Sequence, residues 1–460
     1  MPYSGEVAGK SGHSDFVKNP DVVKFLGDCN YLRQPSDEEA KALGALFHSA
    51  PRGSIPMLPR HVVASDASKS DRPISDKLPS TQIGFLKISH VLINMQSYGD
   101  LINPLNRFVD PFKAAEIHRE AHPITFTMPG SNVCFKNNSS VKNGFRQALY
   151  ERLKEVGAEN GSSLIDVLKK LERIDGNKDV AIRKCPNCSG DVAPIAFKNG
   201  VESQPCALCN CIIYVTDSLR LHEGISDFGD NSSAMTRMMN AMEHLLLAAF
   251  ILSVSERDVS RLSDLAFIID GPLAVFGEPA KLAQRLQRLI FTVNEKLSFL
   301  GLPPLLVLGL QKTGGLMDHA KLIERFVDNG SIRAVDDEYR HMYVTGADSP
   351  SDNFGNETYY GQDFLFKTES GRIFNFAIPY PFFDKTYGGS KKAFANAKIE
   401  ESRYGSLINQ ACDLIRHFEM DLYESAIVPI ALAHRHASIS VMPGGKVLDL
   451  IVRGGLNGKV

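Results

Sequence analysis

The spacing of apolar and polar positions changes several times along the chain, and each change marks an element. Residues 1–58 are polar and mixed, with one helical stretch over Asp37–His48. Arg60–Ser65 (RHVVAS) reads as a short strand that runs into the polar stretch Asp66–Asp71, and a polar loop is expected to follow. Thr81–Asn94 reads as a second strand, and His122–Met128 as a third, closed by Pro129-Gly130. The period then becomes helical over Val141–Val156 and Ser162–Ile174, the latter opening on a serine cap signal. Further on, Ser232–Ser255 predicts a long buried helix, Leu265–Asp270 (LAFIID) an apolar strand stopped by Gly271-Pro272, and Lys281–Leu300 an amphipathic helix. Leu305–Leu310 is a further buried strand and Met317–Val327 a further helix. Thr345–Ser370 reads as a polar loop, Lys391–His417 as one helix, and Tyr423–Ala437 as a last segment before a glycine-rich tail. Apolar strands alternating with helices predict a partly parallel sheet covered by helices, an α/β class. The chain shows no internal repeat.

Composition narrows the class only a little. The 460 residues are 43% hydrophobic and 23% charged, as in ordinary soluble proteins. A formal net charge of -2 supplies no overall basic field, so any polyanion would have to bind in a local groove. The first twenty residues carry no apolar run or cleavage signature, and the most apolar stretch, His244–Val254, is shorter than a membrane span. These features predict a cytoplasmic protein without a membrane partner.

The strongest local signal is four cysteines, Cys185-Pro-Asn-Cys188 and Cys206-Ala-Leu-Cys209, with 17 residues between the pairs. Each short turn aims two sulfurs at one point, which is the requirement of a tetrahedral Zn²⁺ site. Four thiolate ligands leave no open position, so such a zinc is structural. Cys29, Cys134, Cys211 and Cys412 fall outside the set, and free thiols beside it fit a reducing compartment. Cys211 is expected to be a core thiol. The predicted organisation is an N-terminal extension (1–58), the first part of a core (59–179), a zinc-ribbon insert (180–215) and the second part of the core (216–460).

Three acidic residues sit where hydrophobic pattern alone would not put them. Asp66 follows the first strand, Glu243 lies within an apolar helix, and Asp270 ends an apolar strand. Singly, each could cap a turn or mark a polar edge. Together they follow the plan of a ribonuclease H-like fold, in which a three-strand meander precedes helix, strand, helix, strand. In that plan the acids fall on the first strand, the first helix and the fourth strand. Clustered carboxylates repel one another unless a hard divalent cation compensates them. Two such ions about 4 Å apart can activate water and stabilise a leaving phosphodiester oxygen.

The segments VVASDASKSD (62–71), RMMNAMEHLLLAAFI (237–251), LAFIIDGPLAVFG (265–277), LLVLGLQKTG (305–314) and ALAHRHASI (431–439) resemble the ordered motifs of NurA nucleases. Those are manganese-dependent DNA nucleases with a ribonuclease H-like core. The resemblance covers about 60–460 outside the cysteine insert. It implies an α/β ribonuclease H-like mixed sheet flanked by helices, with Asp66, Glu243, Asp270 and His434 as ligands of catalytic Mn²⁺ or Mg²⁺. His436 competes with His434, and Glu256 with Glu243; Glu243 is preferred because its helix should pack on the sheet. The family usually has glycine after its first aspartate, where this chain has Ala67. The resemblance also implies DNA as substrate, a homodimer, and a partner of the HerA-type hexameric translocase ATPase, in DNA-end processing or antiviral defence. It assigns the zinc insert no role.

Lys312, just past the Leu305–Leu310 strand, is placed to meet a phosphate at the carboxyl edge of the sheet. Arg237 could reach a phosphate or form a salt bridge. Asp227-Phe228-Gly229 copies a kinase triplet without its companions. Gly388–Lys392 and Gly444–Lys446 do not satisfy a P-loop pattern, so ATP-driven motion would come from a partner. Pro379–Phe383 is an aromatic run better explained by packing than by base stacking. The expected function is metal-dependent DNA hydrolysis. The competing expectations are an inactive nuclease-like zinc adaptor that binds nucleic acid or a partner ATPase, and a ribonuclease H-type enzyme acting on RNA.

Overall fold

A computed structural model describes residues 19–29, 34–99, 123–157, 161–198, 200–345, 355, 357–419 and 427–439. Its helices are α1 (Pro20–Asp28), α2 (Asp37–Gly44), α3 (Met95–Gly99), α4 (Val141–Glu155), α5 (Leu164–Ile174), α6 (Ser232–Asp258), α7 (Lys281–Phe299), α8 (Gly315–Ile323), α9 (Asp337–Arg340), α10 (Lys391–Lys398), α11 (Leu407–Phe418) and α12 (Val428–Ala437). The strands are β1 (His48–Ser49), β2 (His61–Ser75), β3 (Leu78–Asn94), β4 (Ile124–Pro129), β5 (Ala181–Lys184), β6 (Asp191–Ala196), β7 (Ser203–Pro205), β8 (Ile212–Tyr214), β9 (Leu265–Asp270), β10 (Leu306–Gln311), β11 (Ser331–Ala334), β12 (Gly361–Lys367) and β13 (Ile373–Pro379).

Nine strands form one mixed sheet in the order β1-β11-β12-β13-β10-β9-β2-β3-β4. The β2–β9 and β9–β10 pairs are parallel and the others antiparallel. Side chains alternate across the strands, and two cores result. Val63, Phe267 and Ile269 face a core built with α4, α5, α6 and α7. Val62, Ala64, Ala266 and Ile268 face the opposite core, which holds α11 and α12. The expected mixed α/β sheet with helices on both faces is therefore present. Helix α6 is apolar on most sides, and by length and composition it could cross a bilayer. Here thirteen of its residues are buried in the protein, as expected of a helix that is hydrophobic all round.

Several local expectations are corrected. The first strand is not short and little loop follows it: β2 continues to Ser75, β3 already starts at Leu78, and the two pair over almost the full length of β2. Serine, lysine and aspartate break the apolar pattern there, but the ribbon beyond β9 is only half-buried and tolerates them. The polar loop predicted over Thr345–Ser370 contains β12, all of whose residues are buried. Its charged members are paired internally, Asp363 through Oδ2 with Arg340 and Lys367 with the carbonyls of Glu324 and Val327, both 2.9 Å away. The single helix predicted over Lys391–His417 is two, α10 and α11, separated by a turn in which Gly405 takes φ 54°. The segment bearing His434 and His436, left without an element type by its sequence pattern, is helix α12. The tail with Gly444–Lys446 and residues 423–426 lie outside the described residues.

Candidate functional site

The parallel β2–β9 register pairs Ser65 with Ile269, so Asp66 and Asp270 stand beside each other one step further on, where β9 ends. The alternation that puts Val62, Ala64, Ala266 and Ile268 on the α12 face puts both aspartates there too. Helix α12 packs on β2, β3 and β9 and delivers His434, whose Nδ1 lies 2.8 Å from Asp66 Oδ2. The other oxygen of Asp66 accepts the Ala67 N–H at 2.8 Å. One ligand atom from each of Asp66, Asp270 and His434 fits within 4.8 Å of the others, close enough to share a divalent cation. The donor set, two carboxylates and an imidazole, suits Mn²⁺ or Mg²⁺ at a site open to water, and His434 is largely exposed.

Glu243 is placed differently. It projects from α6, on the other side of the sheet, and Ser65 Oγ donates to its Oε1 at 2.8 Å. Its carboxyl is not among the three grouped ligand atoms. Burial pushes its pKa up to about 8; the charges of Asp66 and Asp270 add to the shift, and the Ser65 hydroxyl opposes it. Glu243 is thus electrically coupled to both aspartates from the opposite face. Asp270 is also raised, by burial first, with Lys312 opposing and Asp66 adding. Lys312 Nζ donates to Asp270 Oδ2 at 2.6 Å. The alternatives weighed from the sequence separate clearly: Glu256 makes a salt bridge at 2.8 Å to Lys170, and Arg237 pairs with Glu278 at 3.3 Å.

The turn after Asp270 depends on two glycines. Gly271 adopts φ 135°, and a Cβ at Gly309 would lie 2.7 Å from the Gly271 carbonyl oxygen, so only glycine lets the turn fold back over β10. Helix α6 anchors the same turn. Asn240 Nδ2 donates to the Ala274 carbonyl, and the Phe276 N–H donates to Asn240 Oδ1, each at 3.1 Å. Tyr360 Oη lies 2.9 Å from His244 Nδ1. Sequence reading missed Asn240, His244 and Tyr360; the polar interruptions of an otherwise apolar helix at 240, 243 and 244 were the available signal. Beside the carboxylates opens a pocket of about 460 Å³, lined among others by Asp270, Lys312, Gly314, Gly315, Arg340 and Tyr359.

The four cysteines converge as well. Cys185 Sγ lies 3.7 Å from Cys209 Sγ, and Cys188 Sγ 4.0 Å from Cys206 Sγ, against a tetrahedron edge of about 3.8 Å for Zn–S bonds of ~2.3 Å. The donor set and spacing fit zinc. Cys211 stands outside the group, with its sulfur 3.6 Å from Arg146. Arg146 is buried and makes a bidentate pair with Asp217, at 2.8 and 2.6 Å, which ties α4 to the segment after β8. Cys185, Phe197, Cys206, Ile213 and Val215 belong to the same core cluster as α4–α7. The cysteine module is built into the body of the protein. The aromatic run 379–383 is also packing: Tyr380 and Phe382 are buried against Phe394.

Compared with known proteins, the chain matches no family model and no curated protein. Among solved structures it is similar to the crystal structure of the NurA nuclease from Sulfolobus solfataricus, at 12% identity over 98% of this chain and 99% of that one. The TM-score is 0.34, too low for the likeness to bear on function.

Proposed function

We propose that the protein is a metal-dependent DNA nuclease of the NurA kind, with a ribonuclease H-like core. The observation that carries this reading is the convergence at the end of the parallel β2–β9 pair: Asp66 and Asp270 from the sheet, His434 from one face and Glu243 from the other. The sheet order β4-β3-β2-β9-β10, a meander followed by two parallel strands, supports the same plan, as do the sequence motifs at these residues.

Asp66, Asp270 and His434 would hold a divalent ion, and Glu243 would complete the charge from the α6 side. Such an ion activates water and stabilises the leaving oxygen of a phosphodiester. The residues of the chain prepare that site. Asp66 is fixed by the Ala67 N–H and oriented towards His434, whose imidazole would complete the ligand set from the α12 side. Lys312 holds Asp270 from the pocket side and offers a cation to a phosphate there. The resemblance of the motifs extends the proposal to a cytoplasmic homodimer working with a HerA-type translocase. Purified protein should degrade linear DNA with Mn²⁺ or Mg²⁺, alone or with the translocase, and Asp270→Asn should abolish cleavage without lowering the unfolding temperature. Full activity in Asp270→Asn refutes the assignment; no activity with any divalent metal or partner replaces it with the adaptor reading.

A further inference from the structure

We propose that Lys312 couples ion binding to substrate binding at the carboxylate site: its ammonium is shared between Asp270 and a phosphate of the substrate strand, so that an arriving phosphate strengthens the hold on a divalent ion. This rests on the nuclease reading for the identity of the phosphate and the ion. What it adds is a competition that the geometry imposes on one side chain.

Asp270 faces two partners. One of its oxygens belongs to the group that Asp66 and His434 complete within 4.8 Å. Its Oδ2 accepts from Lys312 Nζ at 2.6 Å, a short, charge-assisted contact. Burial raises the Asp270 carboxyl above its ordinary value, and Lys312 is the largest influence against that rise, ahead of His434. An ammonium held so close offsets the negative charge that Asp270 would lend to an ion, and it repels the ion directly.

Lys312 also has a second place to go. It is the first residue beyond β10, its side chain is 25% exposed, and it lines the pocket of about 460 Å³ beside the carboxylates. Among the described residues lining that pocket, Asp270 is the one carboxylate, and the other cation, Arg340, is tied to the buried Asp363. Thr313, Gly314 and Gly315 continue the lining, and the two glycines bring no side chain to compete for the ammonium. Lysine carries a compact charge on a flexible four-carbon stem, so it can change partner without moving the backbone. A phosphate entering the pocket thus meets one cation that is fixed and one that can leave its carboxylate.

Linkage makes the coupling reciprocal: phosphate raises the affinity for the ion by the same factor as the ion raises the affinity for phosphate. It also fixes the sign of the test. A lysine that merely positioned Asp270 would weaken ion binding when removed, whereas a lysine that competes for Asp270 strengthens it.

Mn²⁺ binding is titrated by electron paramagnetic resonance with and without thymidine 5′-monophosphate, which offers a phosphate but no phosphodiester to cut. Lys312→Gln keeps a hydrogen-bond donor and loses the charge. Without nucleotide it should bind Mn²⁺ about tenfold more tightly than the wild type, inside the roughly 5–150-fold range of coupled sites. The nucleotide should then improve its Mn²⁺ affinity by a factor about threefold or more below the wild-type factor. Lys312→Arg, which keeps the charge, should bind Mn²⁺ without nucleotide as the wild type does. Weaker Mn²⁺ binding in Lys312→Gln, or an unchanged nucleotide effect, in a protein that cleaves DNA overturns this inference and leaves the nuclease reading standing. The expected Mn²⁺ pattern in a protein that never cleaves does the reverse. A wild type that takes up no Mn²⁺ overturns both.

Discussion

Replacing Glu243 by glutamine should make the metal-free protein more stable at alkaline pH while weakening its response to divalent metal. Glu243 is 6% exposed, and burial raises its pKa from 4.5 to about 8. Between those values the folded state holds a proton that the unfolded state releases, so stability falls as pH rises through that window. The slope is about 1.4 kcal/mol per pH unit, and over the whole window the loss approaches about 5 kcal/mol. Glutamine keeps an oxygen to accept from Ser65 Oγ and carries no charge to desolvate. Chemical denaturation in EDTA from pH 5 to 9, wild type against Glu243→Gln, isolates the effect. The subtraction matters because His90 and His244, both lowered to about 4 by burial, give wild type and variant the same opposite slope between about pH 4 and 6.5. Adding Mn²⁺ at pH 8 should then stabilise the wild type more than the variant, because an ion that binds only the folded state adds its binding energy to stability. If the two proteins show parallel pH profiles in EDTA, Glu243 is not the buried proton holder that its position implies.

Three further outcomes follow from the geometry. Cys206→Ser should abolish zinc binding by elemental analysis and cost at least ~3 kcal/mol, a modest share of the ~10–16 kcal/mol of apparent zinc affinity in small modules; because Cys206 lies in the main core, the loss should appear in the global unfolding transition. Asp217→Ala strands the buried Arg146 guanidinium and should destabilise by about 3–5 kcal/mol, measured by urea unfolding. His434→Ala should slow cleavage by roughly 10²-fold or more with little change in unfolding temperature, since the ring is largely exposed.

What the sequence made legible follows from which side chains carried more than one signal. Asp270 closes an apolar strand just before Gly271-Pro272, and β9 appears with the predicted bounds. Glu243 and Glu256 sit on one helix, yet the apolar neighbours of Glu243 mark it as buried, and Glu256 does meet a surface lysine. The misses came where polarity and burial part company. Strands β12 and β13 carry Gln362, Asp363, Asn375 and Lys367, all buried, and no pattern of hydrophobicity shows that Arg340 waits 23 residues before Asp363 to neutralise it. Likewise, β2 continues through Ser68, Lys69 and Asp71 because Ser232, at the start of α6, meets Lys69 and Asp71, a contact formed only once the sheet has assembled.

The cysteine insert marks the other limit. Its spacing announces a metal site but says nothing of how the module sits, and small zinc modules are commonly independent folding units. Here Arg146 of α4 reaches across to Asp217 and to the Ile212 carbonyl, the latter at 2.7 Å, while Tyr150 of the same helix stacks on Tyr214 at 4.8 Å. Ile212 and Tyr214 belong to β8, the strand just after the second cysteine pair, and Asp217 follows it, so closing the metal site also sets the position of α4 against the main sheet. A module fixed in this way can shape a surface that neither part owns, and the cleft of about 670 Å³ walled by β5, residues 217–223, the end of α5 and the start of α7 is such a surface. Loss of zinc should therefore speed amide hydrogen exchange in α4 as well as in the cysteine module, and exchange in α4 that ignores zinc removal would refute the coupling.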